Sequence, residues 1–201
     1  PRRASRRLTP VACAALPESL LESELFGHTR VRFTGAVADQ AGLIERARGG
    51  TLLLDEVDAL TPAMQAKLLR VVEEHKIQKV GGSHDIDVDF RLIAATNADL
   101  ESLVEQGAFR SDLFYRLDVI HVVIPPLRDR AEDIPHLAWY FRDLFARETG
   151  FPVVPFAESS IDWLTSREWP GNIRQLKHAV ERAIVLSQGE DEIDPLHLGY
   201  G

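Results

Sequence analysis

Asp55 and Glu56 stand side by side where the apolar run Thr51-Leu52-Leu53-Leu54 stops, and Thr96 and Asn97 stand where a second run, "RLIAA", stops. In open α/β sheets, ligands bind beyond the carboxyl ends of the strands. Two adjacent carboxylates at a buried strand end carry a desolvation cost unless a cation or hydrogen-bond donors satisfy them. Nucleotide hydrolysis uses such a pair. The first acid holds Mg²⁺, and the second orients or deprotonates a water. In that chemistry Thr96 and Asn97 contact the terminal phosphate or the water. A solvated strand end carries the same string of residues. The Gly49-Gly50 entry and the second polar-ended strand weigh toward the catalytic reading.

Arginines supply the next candidates. In "GAFRSDLFYRL", Arg110 and Arg116 lie six residues apart among aromatic and apolar residues. Surface salt bridges account for that spacing. So does an arginine finger donated to a neighbour's phosphate, a role worth roughly 10³–10⁵ in rate. Arg174, in "WPGNIRQL", falls in the first turn of a helix. A cation gains nothing from the helix dipole there, which suggests that another anion holds it.

These residues need elements to position them. "PESLLESELFG" reads as a short amphipathic helix ended by Gly27, and "GGTLLLDE" as a buried parallel strand. "TPAMQAKLLRVVEEH" reads as a helix with Thr61 as N-cap, Pro62 in its first turn and an apolar stripe of Met64, Leu68, Leu69 and Val72. "DIDVDFRLIAATN" reads as a strand entering a core, and "DVIHVVIPPL" as a third strand stopped by Pro125-Pro126. Beyond that point only helices follow, one of them with Asn172 as its N-cap. The fold class is therefore α/β, a parallel sheet flanked by helices and followed by a small helical subdomain. The boundaries read as 1–127 for the α/β part, 128–188 for the helical part and 189–201 for a linker stub.

Composition bounds the function. The 201 residues, 45% hydrophobic, suffice for one good core and a small second subdomain. A net charge of −8 argues against direct duplex-DNA binding, although Arg2, Arg3, Arg6 and Arg7 form a basic start that reads as a solvated arm. The superficial helix-turn-helix likeness of "WPGNIRQLKHAVERAIV" meets the same objection. Cys13 is the single cysteine, so no intrachain disulfide forms, which fits a reducing cytoplasm. No apolar run approaches the ~18 residues that span a bilayer.

The strings "CAALPESLLESELFGH", "RFTGA", "GGTLLLDEVDAL", "QAKLLRVVEE", "VGG", "RLIAATNADL", "FRSDLFYRL", "IPPLRDRAEDIPHL" and "WPGNIRQL" occur in this order. As an ordered set they resemble the central AAA+ domain of bacterial enhancer-binding proteins, the NtrC-type activators of sigma-54 RNA polymerase. The resemblance runs from about Ser5 to Gln188. It implies a P-loop NTPase-like AAA+ fold with a helical lid. By position, Asp55 and Glu56 match the Walker B pair, with Asp55 the Mg²⁺ ligand. Thr96 and Asn97 match sensor I, Arg110 and Arg116 the trans-acting arginines, and Arg174 the sensor II arginine. It further implies ATP and Mg²⁺ as cofactors, a hexameric ring of identical subunits, sigma-54 RNA polymerase as the partner, and DNA contact only through a C-terminal domain beyond this stretch. The family's "GAFTGA" loop, which touches the sigma factor, matches Val31 to Ala36. Phe33, Thr34 and Gly35 are thus expected at the partner contact, Phe33 supplying buried apolar area.

Three features depart from the family pattern. No G-x-x-x-x-G-K-S/T phosphate loop occurs, which reads as a fragment or the product of a truncated gene, with little ATPase activity expected of these 201 residues alone. Ala12 stands where the family has an Asn that pairs with the Walker B glutamate. Val31 and Arg32 stand where the loop usually has Gly and Ala. A non-hydrolysing AAA+-like scaffold, or an activator that no longer contacts sigma-54, is the competing expectation.

Overall fold

The computed structural model describes residues 3–29 and 39–199. Two compact units divide the chain, residues 1–121 and 122–201. The first unit runs β1 (Leu8–Ala12), α1 (Glu18–Phe26), β2 (Gly27–His28), β3 (Gln40–Ala41), α2 (Leu43–Arg46), β4 (Thr51–Asp55), α3 (Pro62–Glu74), β5 (Lys76–Gln78), β6 (Asp85–Asp87), β7 (Arg91–Ala94), α4 (Leu100–Glu105) and α5 (Ser111–Leu117). Its main sheet has the order β1-β4-β7, all parallel, with Leu54 opposite both Val11 and Ala94.

β4 is the central strand for a physical reason. Leu52 and Leu54 are fully buried, and each such leucine contributes roughly 1.5–3 kcal/mol. Val11 of β1, Leu21 and Leu25 of α1, Met64, Leu68 and Val71 of α3, and Leu113 of α5 close the same core. β1, absent from the sequence reading, hides its signal behind Pro10, a residue tolerated only on an edge strand. α1 stops at Gly27, whose φ of 78° and approach to the Gln40 carbonyl leave no space for a Cβ. Thr61 caps α3 by accepting the Met64 N–H, as its type predicts. The buried stripe of α3 differs from the expected one: it is Met64, Gln65, Leu68 and Val71, with Leu69 and Val72 only partly buried. "DIDVDFRLIA" is two strands, not one. β6 pairs antiparallel with β5 in a small hairpin before β7 joins the main sheet.

The predicted third strand, "DVIHVVIPPL", does not form. Val119, Ile120, Val122, Val123 and Ile124 are 75–79% exposed and carry no ladder. An apolar run becomes a strand only when a partner supplies backbone groups, and none among the described residues lies beside it.

The second unit is helical: α6 (Asp133–Thr149), α7 (Glu158–Thr165), α8 (Asn172–Leu186) and α9 (Pro195–Leu198), preceded by a 3₁₀ turn, Leu127–Arg130. Leu127, Ile134, Leu164, Leu176 and Val180 form its core. Ile193 and Leu198 are fully buried in the same core, so residues 189–199 are not the expected linker stub. The Ser160 hydroxyl donates to the Ile193 carbonyl at 2.6 Å and fastens that segment. Asn172 is not the N-cap of α8 either. Gly171 holds that place, and the Asn172 side chain accepts the Leu127 N–H at 2.8 Å, tying "WPGN" to "PPL". Among the described residues, no helix is long and apolar enough to cross a membrane.

Candidate functional site

The parallel register brings the polar ends of β4 and β7 together. The Ala95 N–H donates to the Leu54 carbonyl at 2.8 Å, and the Val57 N–H donates back to the Ala95 carbonyl at 3.1 Å. Asp55 and Glu56 therefore leave the sheet beside Thr96 and Asn97. Glu56 sits at φ 56°, ψ 48°, a left-handed conformation that a non-glycine residue adopts at a cost. Its N–H donates to Asp55 Oδ1 at 3.1 Å, and a 3₁₀ turn, Val57–Ala59, follows. The strained residue is thus one of the two predicted catalytic acids.

Asp58, which the sequence reading missed, belongs to the same corner. Thr96 Oγ1 donates to Asp58 Oδ1 at 2.5 Å and accepts the Ala98 N–H at 3.0 Å. The third acid of "DEVD", three residues after Asp55, was the available signal. The charges of this corner also bear on Cys13. Burial first, then the charges of Asp55, Glu56 and Asp58, push its thiol up to about 11. The acids are not buried as expected: β4 packs into the core, but Asp55, Glu56, Thr96 and Asn97 are exposed where the strands open to solvent. Ala12 lies in register with Asp55 and brings no polar side chain to it.

No group of three or more His, Cys, Asp or Glu side chains able to hold a metal ion occurs among the described residues. An exposed carboxylate at a strand end still fits Mg²⁺, which commonly takes one or two carboxylates and completes its shell with water and substrate phosphates.

Arg110 and Arg116 lie on the surface around α5. The Arg110 fork spans the Asp112 carboxylate, with Nε–Oδ1 at 3.0 Å and Nη2–Oδ2 at 2.7 Å. That guanidinium holds the Asp112 carboxyl below its ordinary value. Arg116 Nε donates to Glu73 Oε1 of α3 at 3.2 Å. Neither arginine is paired with Asp55, Glu56 or Asp58.

In the second unit, Arg174 lines an open cavity of about 460 Å³ with Ile124, Pro125, Pro126, Arg130, Asn172 and Ile173. Arg130 was not foreseen. Its Nε is buried without a hydrogen-bond partner, while Nη1 lies 3.6 Å from Asp133. No carboxylate among the described residues pairs with Arg174. Apolar walls with two guanidiniums suit a planar base and an anionic group.

Phe33, Thr34 and Gly35 lie outside the described residues. The flanking positions are anchored. The Thr29 N–H donates to the Val80 carbonyl at 3.0 Å, the Val80 N–H to the Gly27 carbonyl at 2.8 Å, and Lys79 lies 3.5 Å from Asp39.

The family description "Sigma-54 interaction domain" matches residues 1–123, and "AAA+ ATPase lid domain" matches 128–200. The chain belongs to the sigma-54 interaction domain family. Regulatory protein AtoC of Escherichia coli is 52% identical over 188 residues, which are 94% of this chain and 41% of AtoC. The Nif-specific regulatory protein of Azotobacter vinelandii is 50% identical over 186 residues, 92% of this chain and 35% of that protein. The crystal structure of NtrX from Brucella abortus in complex with ATP superposes with a TM-score of 0.89 at 35% identity, covering 98% of this chain and 43% of NtrX. A Thermotoga maritima RuvB variant, at 16% identity and TM-score 0.58, shares the fold. The sigma-54 family chain thus has the AAA+ architecture of a parallel sheet flanked by helices with a helical lid. It spans about two fifths of the length of AtoC.

Proposed function

We propose that this chain is the ATP-hydrolysing module of a sigma-54-dependent transcriptional activator, coupling hydrolysis to remodelling of the RNA polymerase closed complex. The observation that carries the reading is the acid corner: Asp55 and strained Glu56 at the end of β4, beside Thr96 and Asn97 at the end of β7. NtrX, 35% identical with a TM-score of 0.89, has been crystallised with ATP.

In this reading Asp55 holds Mg²⁺, which supplies charge neutralisation for the phosphates when bound. Glu56 orients the attacking water and accepts its proton. Thr96, Asn97 and the Thr96–Asp58 bond fix that water or the terminal phosphate. Arg174 engages the nucleotide from the lid, and the Arg130-lined cavity beside it accepts the base or ribose. Arg110 or Arg116 exchanges its own-chain carboxylate for the phosphate of a neighbouring subunit in a ring. Phe33, Thr34 and Gly35 engage sigma-54.

Glu56→Gln in the full-length protein tests the assignment. It is expected to bind ATP and lose turnover by roughly 10²–10⁴-fold, while Asp55→Ala weakens Mg²⁺-ATP binding. Normal turnover by Glu56→Gln would reject the role. A second reading, a ring-forming scaffold without turnover, is favoured by Ala12, which leaves Glu56 without the restraint a polar side chain there would give. A parent protein that binds ATP without hydrolysing it supports that reading instead.

A further inference from the structure

Gln65, on the buried stripe of α3, is 1% exposed. Its Nε2 donates to the Leu60 carbonyl at 2.8 Å and to the Ala108 carbonyl at 3.1 Å. Its Oε1 accepts the Arg110 N–H at 2.9 Å. Two carbonyls and one N–H as partners fix the amide orientation.

The three segments it joins are informative. Leu60 closes the turn that follows Glu56, donating its N–H to Val57, whose own N–H is held by Ala95 at the end of β7. Arg110 is the N-cap position of α5, and its side chain provides no cap. Arginine lacks the acceptor oxygen with which Ser, Thr, Asp or Asn fixes a helix start. The backbone of Arg110 is held instead from outside, by Gln65. An unbroken series of hydrogen bonds thus runs from the acid corner through Gln65 to the backbone of the arginine.

We propose that Gln65 is the positioning residue of Arg110: it fixes the start of α5 so that the guanidinium, once released from Asp112, is aimed at a neighbour's nucleotide. The proposal rests on the reading above that one of the two arginines acts in trans, and it takes Arg110 as that residue. Gln65 touches no reacting atom. It sets where the guanidinium begins, and small misplacements of such a group are costly, on the order of 10²-fold for about 1 Å.

Gln65→Met keeps the volume of the side chain and removes all three bonds. Amide hydrogen exchange without nucleotide comes first. Exchange at Arg110 and the first turn of α5 is expected to rise about tenfold or more, while β4 keeps the parent rate; parent-like protection at Arg110 overturns the proposal. Turnover by full-length Gln65→Met is expected to fall roughly 10²-fold, and unchanged turnover overturns it. Mixed rings then separate positioning from general support. Gln65→Met subunits should recover activity with Glu56→Gln subunits, which supply a good arginine, and not with Arg110→Ala subunits. The reverse pattern assigns Gln65 to the acid turn, and recovery with neither, accompanied by faster exchange across β4, makes it a packing residue; both overturn the proposal. Gln65→Leu removes the same three bonds without burying a charge and gives a second variant should Gln65→Met fail to fold; parent-like protection at Arg110 in Gln65→Leu overturns the proposal. A failure of Arg110→Ala to recover with Glu56→Gln rejects the trans reading itself, and the exchange data still decide whether Gln65 orders Arg110.

Discussion

Asp55 and Glu56 end a strand that is paired on both edges, whereas Arg110 and Arg116 rest on exposed carboxylates of their own chain. The acids are fixed through the backbone: ladder bonds on either side, fully buried Leu52 and Leu54 behind, and a left-handed Glu56 that the surrounding bonds hold in place. The arginines are fixed only at their backbone. Their guanidiniums sit in surface ion pairs, which are worth about 0–1 kcal/mol, so another anion displaces the partner easily. A group that serves its own subunit's nucleotide profits from rigidity. A group that must leave its own subunit profits from a weak, replaceable partner. The contrast supports the division of labour proposed here, acids in cis and an arginine in trans.

The largest expected effect falls on the arginine side. Arg110→Ala in the full-length protein is predicted to lower kcat by about 10³–10⁵-fold with its fold intact, measured by steady-state hydrolysis and thermal melting. Equal activity of Arg110→Ala and Arg116→Ala to the parent breaks the contrast. On the acid side the strand itself is the target. Leu54→Ala opens a cavity behind Asp55 and is expected to cost about 2–5 kcal/mol in denaturant unfolding, whereas Val123→Ala, on the exposed run, stays within about 0.5 kcal/mol. Similar losses for the two would mean that the run is packed after all.

A smaller effect concerns the ion pair. Asp112→Asn frees Arg110 and leaves stability nearly unchanged, because the pair is solvent-exposed. A large stability loss would show that the pair is structural, not a replaceable holder. The smallest effect is electrostatic. Cys13 has a folded-state pKa raised to about 11, by burial first and then by Asp55, Glu56 and Asp58. Its contribution to stability is fully present below the unfolded thiol value, near 8.5, and is lost as pH rises toward 11. The difference in stability between the parent and Cys13→Ala is therefore predicted to change over that window and to stay flat below it. A flat difference throughout would show that neither burial nor the nearby acids perturb Cys13.

β4 and the run around Val119–Ile124 also show what was legible in the sequence. Both are apolar and of strand length. The first was read correctly because Gly49-Gly50 before it and Asp55-Glu56 after it mark its ends. The second reads the same way and yet lies exposed, since pairing depends on a neighbour that composition does not reveal. β1 escaped notice because Pro10 argues against a strand, and only edge placement excuses it. The acid corner was foreseen as Asp55, Glu56, Thr96 and Asn97, and their juxtaposition follows from the parallel register. Asp58 and Gln65 were not foreseen, because the hydrogen bonds that give them their places span 38 and 45 residues. Gln65 did leave a trace, a polar residue within an otherwise apolar helical stripe. The tail was misread because Ile193 and Leu198 are isolated among acidic and turn residues, and their burial depends on the helices they meet.

Mixing subunits tests the central claim most directly. Arg110→Ala and Glu56→Gln proteins, each inactive alone, are combined and their ATP hydrolysis is followed across mixing ratios. Acids working in cis and an arginine in trans predict recovered turnover that peaks at an intermediate ratio, because some interfaces then pair an intact Glu56 with an intact Arg110. A mixture no more active than either protein alone, at every ratio and with ring assembly verified, would contradict the account.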